Sequence, residues 1–586
     1  MYAKVAEGQT LSHDAGPVCS KTTLAAGSHQ PRQTHSHHTT PTQAPVVIPQ
    51  TVVTRLKREV WASRLSSHPD RDFAAEILQF IDFGVPLMYD GPILNQVFPN
   101  WKSCDILREE MKTSLLYDIS RQWKIGPFAQ QPFEHFVGSP MGAFSKVIDK
   151  LSNNVKTRVI HDLSWPPGQS VNSFIPAEPC SVHYVSVDDA VRLVKKCGKD
   201  CLMAKIDLKD AYKQIGVRQQ DWPLLGSTWI NDFGTTEYYF DTVLPFGCRS
   251  SAAQFDKFAS ALEFIMKVDG VTHMCHYLDD LFTCGSANSP ECLNNFRTML
   301  RTCDECGVEV NPKKLVEPEQ CVEFLGIVID STRMELRMSE ARLDAVKSEL
   351  SKWIDKKSGA KRDLLSLLGK LVFLSRVITP GRVFMRRLFN LSMSTKHLHY
   401  KVKLNRDARE DIVWWLNCAE QWNKKSVFLD EEWTADDRLH MFTDASDVGI
   451  GGVFGREWFA VPLNNAESSL IIAWRELYAI VVACSTWGHH LTGRKLLIHC
   501  DNETVVAIVN SGTSKNRDIM CLVRILFFVC VRYNFDIRLV HVPGKENIAA
   551  DRLSRLDEAA FFREFPTQYN RQPTPVKLQG GITRSS

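Results

Sequence analysis

The chain contains 586 residues, which at roughly 150 residues per domain predicts about four folded units and excludes a single small module. Its composition of 44% hydrophobic and 23% charged residues is typical of globular proteins and excludes a largely disordered chain. Lys and Arg total 70 against 67 Asp and Glu, and the net charge of +3 lacks the basic excess that usually marks nucleic-acid-binding domains. Net charge alone therefore argues against a nucleic-acid partner.

The sequence predicts neither a membrane segment nor secretion. The most apolar run, CLVRILFFVCV at 521–531, is interrupted by Arg524 and is far shorter than a bilayer span. The N-terminus has no basic segment followed by an apolar stretch, so no signal peptide is expected. The 17 cysteines predict reduced thiols in the cytoplasm or nucleus. Cys303 and Cys306 form a lone C-x-x-C pair, which favours packing residues over zinc ligands.

In chain order, the first predicted element is a tail. Residues 1–50 are rich in Thr, Ser, Gln, Pro and His, which predicts a disordered N-terminal tail. In residues 51–137 apolar residues recur at helical spacing, as at Phe73 and Ile77, which predicts a helical entry region. Residues 138–330 contain strands punctuated by Gly and Pro, and then short apolar strands alternating with helical segments. This pattern predicts an α/β or α+β layer.

The remaining pattern is first helical and then mixed. Residues 331–438 contain two amphipathic helical stretches, 339–357 and 361–376, and then a basic connecting region. Residues 439–556 predict a second α/β unit. Residues 557–586 contain Pro, Gln and Gly and predict a flexible C-terminal tail. The predicted fold class is therefore multidomain, with α/β and α+β units.

Three aspartates predict a first carboxylate site. In CLMAKID the alternation of side chains places Asp207 at the end of a strand, on the face away from the core. HMCHYLDDLFTCG predicts two short strands joined by a turn that carries Asp279 and Asp280. Adjacent acids repel each other unless a cation is present, and two Mg²⁺ ions roughly 4 Å apart can clamp the oxygens of a phosphoryl displacement. From YLDD alone, ordinary turn chemistry is an equally open interpretation.

Four further acids predict a second carboxylate site. LHMFTDASDVGIGGVF is typical of two strands joined by a turn, with Asp444 on the first. SLIIAWRELYAIVVACSTW predicts a helix with Glu476 in the middle of an apolar face, which is costly unless the carboxylate is paired or metal-bound. KLLIHCD ends a buried strand at Asp501, and HVPGKENIAADRLSR places Asp551 in a closing helix. These acids therefore follow the order strand, helix, strand, helix.

Five motifs occur in the order and approximate spacing of the palm of a reverse transcriptase: DLKDAY at 207–212, LPFG at 244–247, YLDD at 277–280, NPKK at 311–314 and FLG at 324–326. The chain thus resembles reverse transcriptases, and the second carboxylate series resembles ribonuclease H. The resemblance implies a right-hand polymerase followed by a ribonuclease H-like α/β domain. Fingers and palm would occupy 138–330, thumb and connection 331–438, and the ribonuclease H-like domain 439–556.

The resemblance also implies roles for individual residues. Two Mg²⁺ ions per site, with Mn²⁺ as a substitute, would be held by Asp207, Asp279 and Asp280 in the palm and by Asp444, Glu476, Asp501 and Asp551 in the second site. These acids would be catalytic, together with His541. The nucleotide pocket would contain Arg158 and Lys156 at the triphosphate, Tyr212 as a gate against a ribose 2′-hydroxyl, Phe246 and Gly247 beneath the nucleotide, and Gln254 with Phe255 on the next helix.

Several implied roles have an open alternative. Lys313 or Lys314 would donate a proton to the leaving pyrophosphate, and the sequence does not choose between them. Leu325 and Gly326 would belong to the hairpin that grips the primer, although a core strand explains them equally well.

In the second site, His541 would help to protonate the leaving group or release product, and a plain surface histidine is the alternative. Asn547 matches a substrate-contacting position. The short connection SGTSKNR between the middle helices lacks the basic handle that some ribonucleases H carry.

A finer resemblance concerns the type of element. GSPMGAFSK, RVIHDLSWPPGQSVN, HYVSVDDAVRL, LPFGCRSSAAQF and LLSLLGKLVFLSRVITPGRVFMRRL are most similar to DIRS-like retrotransposons, which encode a tyrosine recombinase. The implied partners are an RNA template, a DNA primer, RNA–DNA hybrid, dNTPs and a separately encoded or downstream recombinase. Ser145 and Thr157 depart from the Pro and Trp that are common in relatives, and both bear on the pocket around Arg158.

The sequence leaves two alternative functions open, and its charge is unevenly distributed along the chain. The chain could instead be a catalytically inactive or domesticated nucleic-acid-binding protein, or a Gypsy-like or pararetroviral polymerase. From Ala341 to Lys425 there are 19 Lys and Arg against 8 Asp and Glu, a net charge of +11, which leaves −8 for the rest of the chain. The near-neutral total is therefore a sum of opposites, and the basic part suits a nucleic-acid backbone. Solvated helix faces explain part of the same excess.

Overall fold

The structure is a computed structural model of the chain. It describes residues 46–149, 154–421, 425–430, 432–433 and 441–576, without the side chains of 146–149, 154–156 and 425. Nearly all of the predicted N-terminal tail lies outside the described residues. Two compact units are present, one of residues 46–193 and 203–319 and one of residues 194–202 and 320–576.

The first unit is a mixture of helices and short strands. Its helices are α1 (Arg58–Leu65), α2 (Arg71–Phe83), α3 (Ser103–Ile106), α4 (Arg108–Ser120), α5 (Val187–Cys197), α6 (Ser251–Val268) and α7 (Glu291–Cys306). Its strands are β1 (Gln96–Val97), β2 (Lys124–Phe128), β3 (Val137–Gly138), β4 (Met141–Asp149), β5 (Asn154–His161), β6 (Leu202–Asp207), β7 (Gly226–Ile230), β8 (Thr236–Asp241), β9 (His273–Tyr277), β10 (Asp280–Gly285) and β11 (Val316–Glu319). The end of α5 and the first residue of β6 are grouped with the second unit.

A four-stranded sheet in the order β11-β6-β10-β9 carries the first carboxylate site. Helix α6 contacts β9, and α7 contacts β10 and β11. The predicted strand and hairpin are therefore present, but the expectation that Asp207 faces away from the core is wrong. Met203 and Ala204 are both fully buried and Asp207 is 5% exposed, because β6 is an interior strand that is covered on both faces. Simple alternation holds only where one face of a sheet meets solvent.

A second sheet, ordered β1-β3-β7-β8-β2, and the β4–β5 hairpin complete the strands of this unit. The entry region predicted as helical, 51–137, contains α1 to α4 but also contributes strands to this sheet. The predicted boundary at 137/138 is corrected because it falls inside β3, which pairs with β1 and β7.

The second unit begins with hairpins and helices and ends with a mixed sheet. Its helices are α8 (Glu340–Ile354), α9 (Lys361–Leu374), α10 (Arg386–Met393), α11 (Arg406–Gln421), α12 (Asn465–Ser468), α13 (Ile472–Trp487), α14 (Glu503–Ser511), α15 (Arg517–Tyr533), α16 (Ile548–Ser554) and α17 (Glu558–Glu564). Its strands are β12 (Cys321–Phe324), β13 (Ile327–Asp330), β14 (Glu335–Arg337), β15 (Ser358–Ala360), β16 (Lys401–Lys403), β17 (Lys425–Val427), β18 (Met441–Ala445), β19 (Gly449–Phe454), β20 (Glu457–Pro462), β21 (Lys495–Cys500) and β22 (Asp536–His541). The helices predicted at 339–357 and 361–376 are present as α8 and α9.

A second predicted boundary, at 330/331, is wrong because it falls within the sheet β12-β13-β14-β17. The predicted division at 330/331 separates β13 from β14, yet these strands pair with each other, with Asp330 opposite Glu335. Strand β17 then joins β14 from far along the chain, with Val427 opposite Glu335. The hairpin that follows Cys321 thus belongs with the helical region after it, since all four strands form one antiparallel sheet.

The C-terminal sheet has the order β20-β19-β18-β21-β22, antiparallel from β20 to β18 and parallel from β18 to β22. Helix α13 packs against β18 and β19, and α16 packs against the same two strands. From Ala473 to Trp487 every residue of α13 is buried, so this helix is enclosed on all sides rather than on one face. Within the described part of the chain, no helix has the length and apolarity needed to cross a membrane.

The prediction of a flexible tail from residue 557 is wrong for residues 557–576. Helix α17 places Phe561 in a fully buried position, 5.5 Å in ring centroids from Trp458 of β20. The Trp458 indole donates to the Asn570 carbonyl at 2.7 Å, and the Thr574 amide donates to the Trp458 carbonyl at 2.7 Å. This segment is held by aromatic packing on β20 that a local pattern does not reveal.

Phe561→Ala should loosen β20. Truncating a fully buried Phe costs about 3–5 kcal/mol, so amide exchange in residues 457–462 should accelerate in hydrogen–deuterium exchange of the full chain. Phe233→Ala serves as the control, because that side chain is 90% exposed and its loss should change stability by at most about 0.5 kcal/mol. Equal exchange in both variants would contradict the packing.

Candidate active sites

Main-chain hydrogen bonds assemble the palm carboxylate site, which consists of Asp207, Asp279 and Asp280. The Leu208 amide donates to the Asp279 carbonyl at 2.8 Å, and the Asn311 amide donates to the Asp207 carbonyl at 2.8 Å. These bonds tie the end of β6 to the β9–β10 turn and to the segment before β11. The turn is tight, with φ of 51° at Leu278. The three carboxylates are therefore brought together by the backbone.

Burial and mutual repulsion disfavour the charged forms of these acids. Burial, together with the charges of Asp280 and Asp207, raises the pKa of Asp279 to about 6. Burial also raises the pKa of Asp280. The site thus presents carboxylates that need positive charge nearby, which is the environment that a divalent cation supplies.

Two lysines and one amide lie at this site. Lys314 Nζ donates to Asp207 Oδ2 at 2.7 Å, Lys205 Nζ is 3.6 Å from Asp280 Oδ1, and Asn311 Nδ2 donates to Asp207 Oδ1 at 3.3 Å. Burial opposes the charge of Lys314, but its hydrogen bond to Asp207 and the neighbouring acids raise the pKa overall. Lys314 is thus the lysine of NPKK that reaches the carboxylates.

Lys313, in contrast, lines a neighbouring open cavity of about 760 Å³. The sequence predicted neither this distinction nor the contact that Lys205 makes, although Lys205 shares a strand face with Asp207 and that spacing could have indicated it.

An aromatic group stands beside the predicted nucleotide position. The Tyr212 ring centroid lies 5.0 Å from that of Phe246 and 5.4 Å from that of Phe255. Phe246 is 49% exposed, so its ring offers a surface to a ligand. Gly247 has φ of +100°, and a Cβ there would lie 3.2 Å from the His161 carbonyl oxygen, so a side chain at this position would be strained.

The β4–β5 hairpin carries the predicted triphosphate contacts. Arg158 is exposed and lies opposite Phe144 across the strands. Lys156 lies two residues earlier on β5, and its side chain is outside the described residues. The two departures from the family pattern face each other, because the Ser145 and Thr157 hydroxyl oxygens are 3.1 Å apart. A cross-strand hydrogen bond thus occupies these positions.

Gln254 is a core residue rather than a surface that a nucleotide could touch, and its predicted role is corrected. It is 2% exposed, and its Nε2 donates to the Pro86 carbonyl at 3.1 Å. The residue lies on the face of α6 that also buries Phe255 and Phe258. Its amide nitrogen is therefore used inside the fold, while its Oε1 is buried without a hydrogen-bond partner among the described residues.

Leu325 and Gly326 form the turn between β12 and β13, as the hairpin prediction requires. Their φ values are +49° and +79°, and the Gly326 carbonyl accepts a hydrogen bond from Arg342 Nη1 at 3.0 Å. The positive φ of Gly326 favours glycine there, since side chains are strained in that conformation. The primer-grip role of this turn stays a prediction.

Sequence reasoning missed Gln214, which holds the backbone behind Asp207. Its Nε2 donates to the carbonyls of Lys209 at 2.6 Å and Glu309 at 2.9 Å, and its Oε1 accepts from the Glu309 amide at 2.8 Å. Leu208 and Val310 form a bridge beside this amide. Gln214 thus acts as a positioning residue for the segments that carry Asp207 and Asn311, and no local pattern marks it.

The second carboxylate site consists of Asp444, Glu476, Asp501 and Asp551. Ligand atoms of Glu476, Cys500 and Asp501 all lie within 4.8 Å of one another. Burial, together with the charges of Asp444 and Asp501, raises the pKa of Glu476 to about 9. Burial also raises the pKa of Asp444 to about 6. Glu476 Oε2 is buried without a hydrogen-bond partner among the described residues, so this oxygen is available to a cation.

Two neighbours of these acids were not predicted. The Ser554 hydroxyl donates to Asp444 Oδ2 at 2.6 Å. Arg555 Nη2 lies 2.8 Å from Asp551 Oδ1, so Asp551 is paired with a cation on its own helix. Arg555 follows Asp551 at i,i+4 spacing, which is the signal that could have identified it, whereas no local pattern indicates the contact of Ser554 with Asp444.

Two further residues were predicted for this site: His541 lies at the site, and Asn547 lies in the core. His541 is exposed and lies opposite Cys500 in the β21–β22 register. Burial raises the pKa of Asp501, and the nearby His541 acts in the opposite direction and lowers it. Asn547 is 2% exposed and donates from Nδ2 to the Thr443 carbonyl at 2.9 Å, so its predicted substrate contact is corrected to a structural hydrogen bond.

Gln214→Met should weaken the palm site without changing its charge. The variant removes three hydrogen bonds to the backbone, each worth about 1 kcal/mol, and leaves the Glu309 amide without its acceptor. Hydrogen exchange of that amide should therefore accelerate by a factor that corresponds to about 2–3 kcal/mol. Gln219→Met is the control, because Gln219 is exposed and donates only to the Pro49 carbonyl. Unchanged exchange at Glu309 would refute the positioning role.

Glu476→Gln should stabilise the metal-free protein increasingly as the pH rises. A carboxyl with a raised folded-state pKa binds its proton more tightly when folded, so its stabilising contribution is lost from its ordinary pKa near 4.5 up to about 9. The variant avoids this loss. Its advantage in unfolding free energy should grow between pH 6 and 8 by up to about 1.4 kcal/mol per pH unit. Denaturant unfolding in chelator measures it, with the exposed Glu503→Gln as control; a pH-independent difference would contradict the burial.

Two segments of the chain match known protein families. Residues 144–329 match the family described as reverse transcriptase (RNA-dependent DNA polymerase), and residues 434–527 match the RNase H-like domain found in reverse transcriptase. The Tf2-3 polyprotein of Schizosaccharomyces pombe is 23% identical over 386 residues, which cover 62% of this chain and 26% of that protein. The Pol polyprotein from transposon opus of Drosophila melanogaster is 23% identical over 367 residues, covering 60% of this chain and 34% of that protein.

Similar solved structures include two of a foamy viral protease–reverse transcriptase. The form in complex with double-stranded DNA is 13% identical with a TM-score of 0.45, covering 85% of this chain and 84% of that one. The form with an RNA/DNA hybrid is 12% identical with a TM-score of 0.39, covering 88% of each. This chain spans only about a quarter to a third of the curated relatives' length. By the family matches, the chain carries a reverse transcriptase domain followed by an RNase H-like domain.

Proposed function

We propose that the chain is an RNA-directed DNA polymerase with ribonuclease H activity, which copies retroelement RNA into DNA and degrades the RNA of the hybrid. Its proposed ligands are an RNA template, a DNA primer, RNA–DNA hybrid and dNTPs. The observation that carries the proposal is the convergence of Asp207, Asp279 and Asp280 beside Lys314 in the reverse transcriptase domain. The second carboxylate site, within the RNase H-like region, adds the hydrolytic activity.

The residues of both sites fit divalent cations, which reverse transcriptase and RNase H domains generally use. Burial, and then the charges of neighbouring acids, raise the pKa values of Asp279 and Asp444, so a cation nearby would stabilise their charged forms. The unpartnered Glu476 Oε2 points to the same need. We propose two Mg²⁺ ions per site, replaceable by Mn²⁺, held by the acids of each site. When bound, such ions stabilise the charge that develops on phosphoryl oxygens during transfer.

The side chains around the palm carboxylates would bind and orient the nucleotide. Lys314 keeps its proton at Nζ beside Asp207, where that proton is available to the leaving pyrophosphate. The ring of Tyr212, backed by Phe246 and Phe255, would form a wall against a ribose 2′-hydroxyl. The exposed guanidinium of Arg158 offers fixed donors to the triphosphate.

In the second site, neighbouring groups hold the acids in place. Ser554 fixes the Asp444 carboxylate through its hydrogen bond. His541, exposed beside Asp501, can carry a proton to the leaving group.

The type of element is a further part of the proposal. The motifs around GSPMGAFSK and LPFGCRSSAAQF support a DIRS-like retrotransposon with a separately encoded or downstream tyrosine recombinase. A recombinase reading frame beside this one would support that assignment, whereas an integrase frame would favour a Gypsy-like or pararetroviral element. We also propose that the protein acts in the cytoplasm or nucleus, and the buried free thiols are consistent with a reducing compartment.

Paired variants should separate the two activities. Asp279→Asn should lower primer extension on an RNA template at least about 100-fold and leave hybrid cleavage intact, because it alters only the palm site. Glu476→Gln should have the opposite pattern. Both are measured on the full chain with Mg²⁺.

The exposed Asp188→Asn is the matched control, and it should leave both activities unchanged. If the wild-type chain neither extends primers nor cleaves hybrid but binds hybrid equally with and without Mg²⁺, the protein is instead a non-catalytic binding protein.

A further inference from the structure

Seven cations gather on one small surface of the second unit. The β15–β16 surface, as we call it, consists of residues 356–362 and 396–403, which contain seven Lys and Arg and no Asp or Glu. Strands β15 and β16 pair antiparallel across it, with Lys403 opposite Ser358 and Lys401 opposite Ala360. This surface shares no residue with either carboxylate site.

Two lysines of β16 project from the same side of the strand pair. Val402 between them is 2% exposed, whereas Lys401 and Lys403 are exposed, as alternation along a strand requires. The residues across from them, Ala360 and Ser358, are small. Both lysines therefore lie opposite small side chains, with no carboxylate directly across the strands.

The cations of this surface lack carboxylate partners, unlike many others in the chain, although Lys361 Nζ donates to the Thr395 carbonyl at 2.6 Å and Lys356 Nζ lies 4.7 Å from the Trp353 ring centroid. Within the described ranges, no carboxylate lies within 4 Å of the seven, which are Lys356, Lys357, Lys361, Arg362, Lys396, Lys401 and Lys403. On α8, by comparison, Lys347 pairs with Asp344 at 3.9 Å and Lys352 with Glu349 at 3.8 Å. Clustered cations without counter-charges repel each other, and an anionic ligand relieves that repulsion.

Aromatic rings are interleaved with these cations. His397, His399 and Tyr400 are exposed and pack against one another, with ring centroids 4.8–5.7 Å apart. Tyr400 is 49% exposed, although its backbone is fixed by the Lys361 amide, which donates to its carbonyl at 2.9 Å. Exposed rings held on a rigid strand start can stack on bases that are not already stacked in a duplex.

We propose that the β15–β16 surface binds single-stranded nucleic acid, with the lysines contacting phosphates and Tyr400 stacking on a base. Cations with interleaved rings are the combination by which proteins hold unpaired strands without reading their sequence. A duplex offers phosphates but no free base faces, so the rings favour the single strand. The inference rests on the proposed function only in the chemical class of its ligand, because the binding needs no catalysis.

Binding is measured by fluorescence anisotropy of the full chain with an oligothymidylate, in chelator so that neither active site contributes turnover. Tyr400→Ala should weaken binding about 5- to 100-fold, the loss expected for one stacked base. The double variant Lys401→Gln, Lys403→Gln should reduce the salt dependence of log K by about 1.4, or about 0.7 for each lost phosphate contact. Lys347→Gln with Lys352→Gln removes the same charge from paired lysines and should change neither quantity.

Three outcomes would overturn the proposal. The first is an equal loss in the control and the β16 double variant, which would mean that only net charge matters. The second is Tyr400→Ala weakening a blunt duplex as much as the single strand. The third is binding of phosphatidylserine vesicles that depends on Lys401 and Lys403 while oligothymidylate binding does not. Because the assay contains no metal, loss of polymerase activity in the wild type would test the proposed function alone.

Discussion

The two sites depend on one physical constraint, the cost of holding like-charged carboxylates together out of water. Each acid alone would be hydrated, and together they repel, so the fold must supply the free energy that assembles them. In the palm this comes from main-chain bonds between Leu208 and Asp279 and between Asn311 and Asp207. In the second site the acids project from a sheet and from the fully enclosed helix α13. In both sites the backbone and the packed core thus hold the acids together.

The two sites relieve the repulsion in different ways. In the palm, the ammonium of Lys314 meets Asp207 and that of Lys205 lies near Asp280, so fixed positive charge offsets part of the cost. In the second site the pKa of Glu476 is raised, so near neutral pH a bound proton neutralises this carboxylate and reduces the repulsion. A cation would have to displace a lysine contact in one case and a proton in the other. The metal affinity of the second site should therefore depend more strongly on pH.

The sequence indicated the elements that carry several of these acids, because Asp207 and Asp501 lie at strand ends and Glu476 lies on a strongly apolar helix, and such positions are locally visible. It failed where a polar side chain at a motif position is buried inside the fold. Gln254 and Asn547 occupy motif positions, yet their amides bond to the carbonyls of Pro86 and Thr443. It also failed where pairing is distant, as when β17 joins β14 or the chain after 557 packs on Trp458. Neither carbonyl positions nor long-range partners follow from local periodicity.

The effect of charge, too, depends on where the charged residues lie in the fold and not only on their number. The net charge of +3 argued against a nucleic-acid partner, although it conceals a strongly basic region. Even within basic regions the count is insufficient, because Arg55, Arg121 and Lys209 all surround Glu309 and are partly neutralised by it. The lysines of β16 have no such carboxylate in the described residues and keep their full potential toward a phosphate. What recruits an anionic partner is therefore the unpaired cation, and pairing becomes visible only in the folded chain.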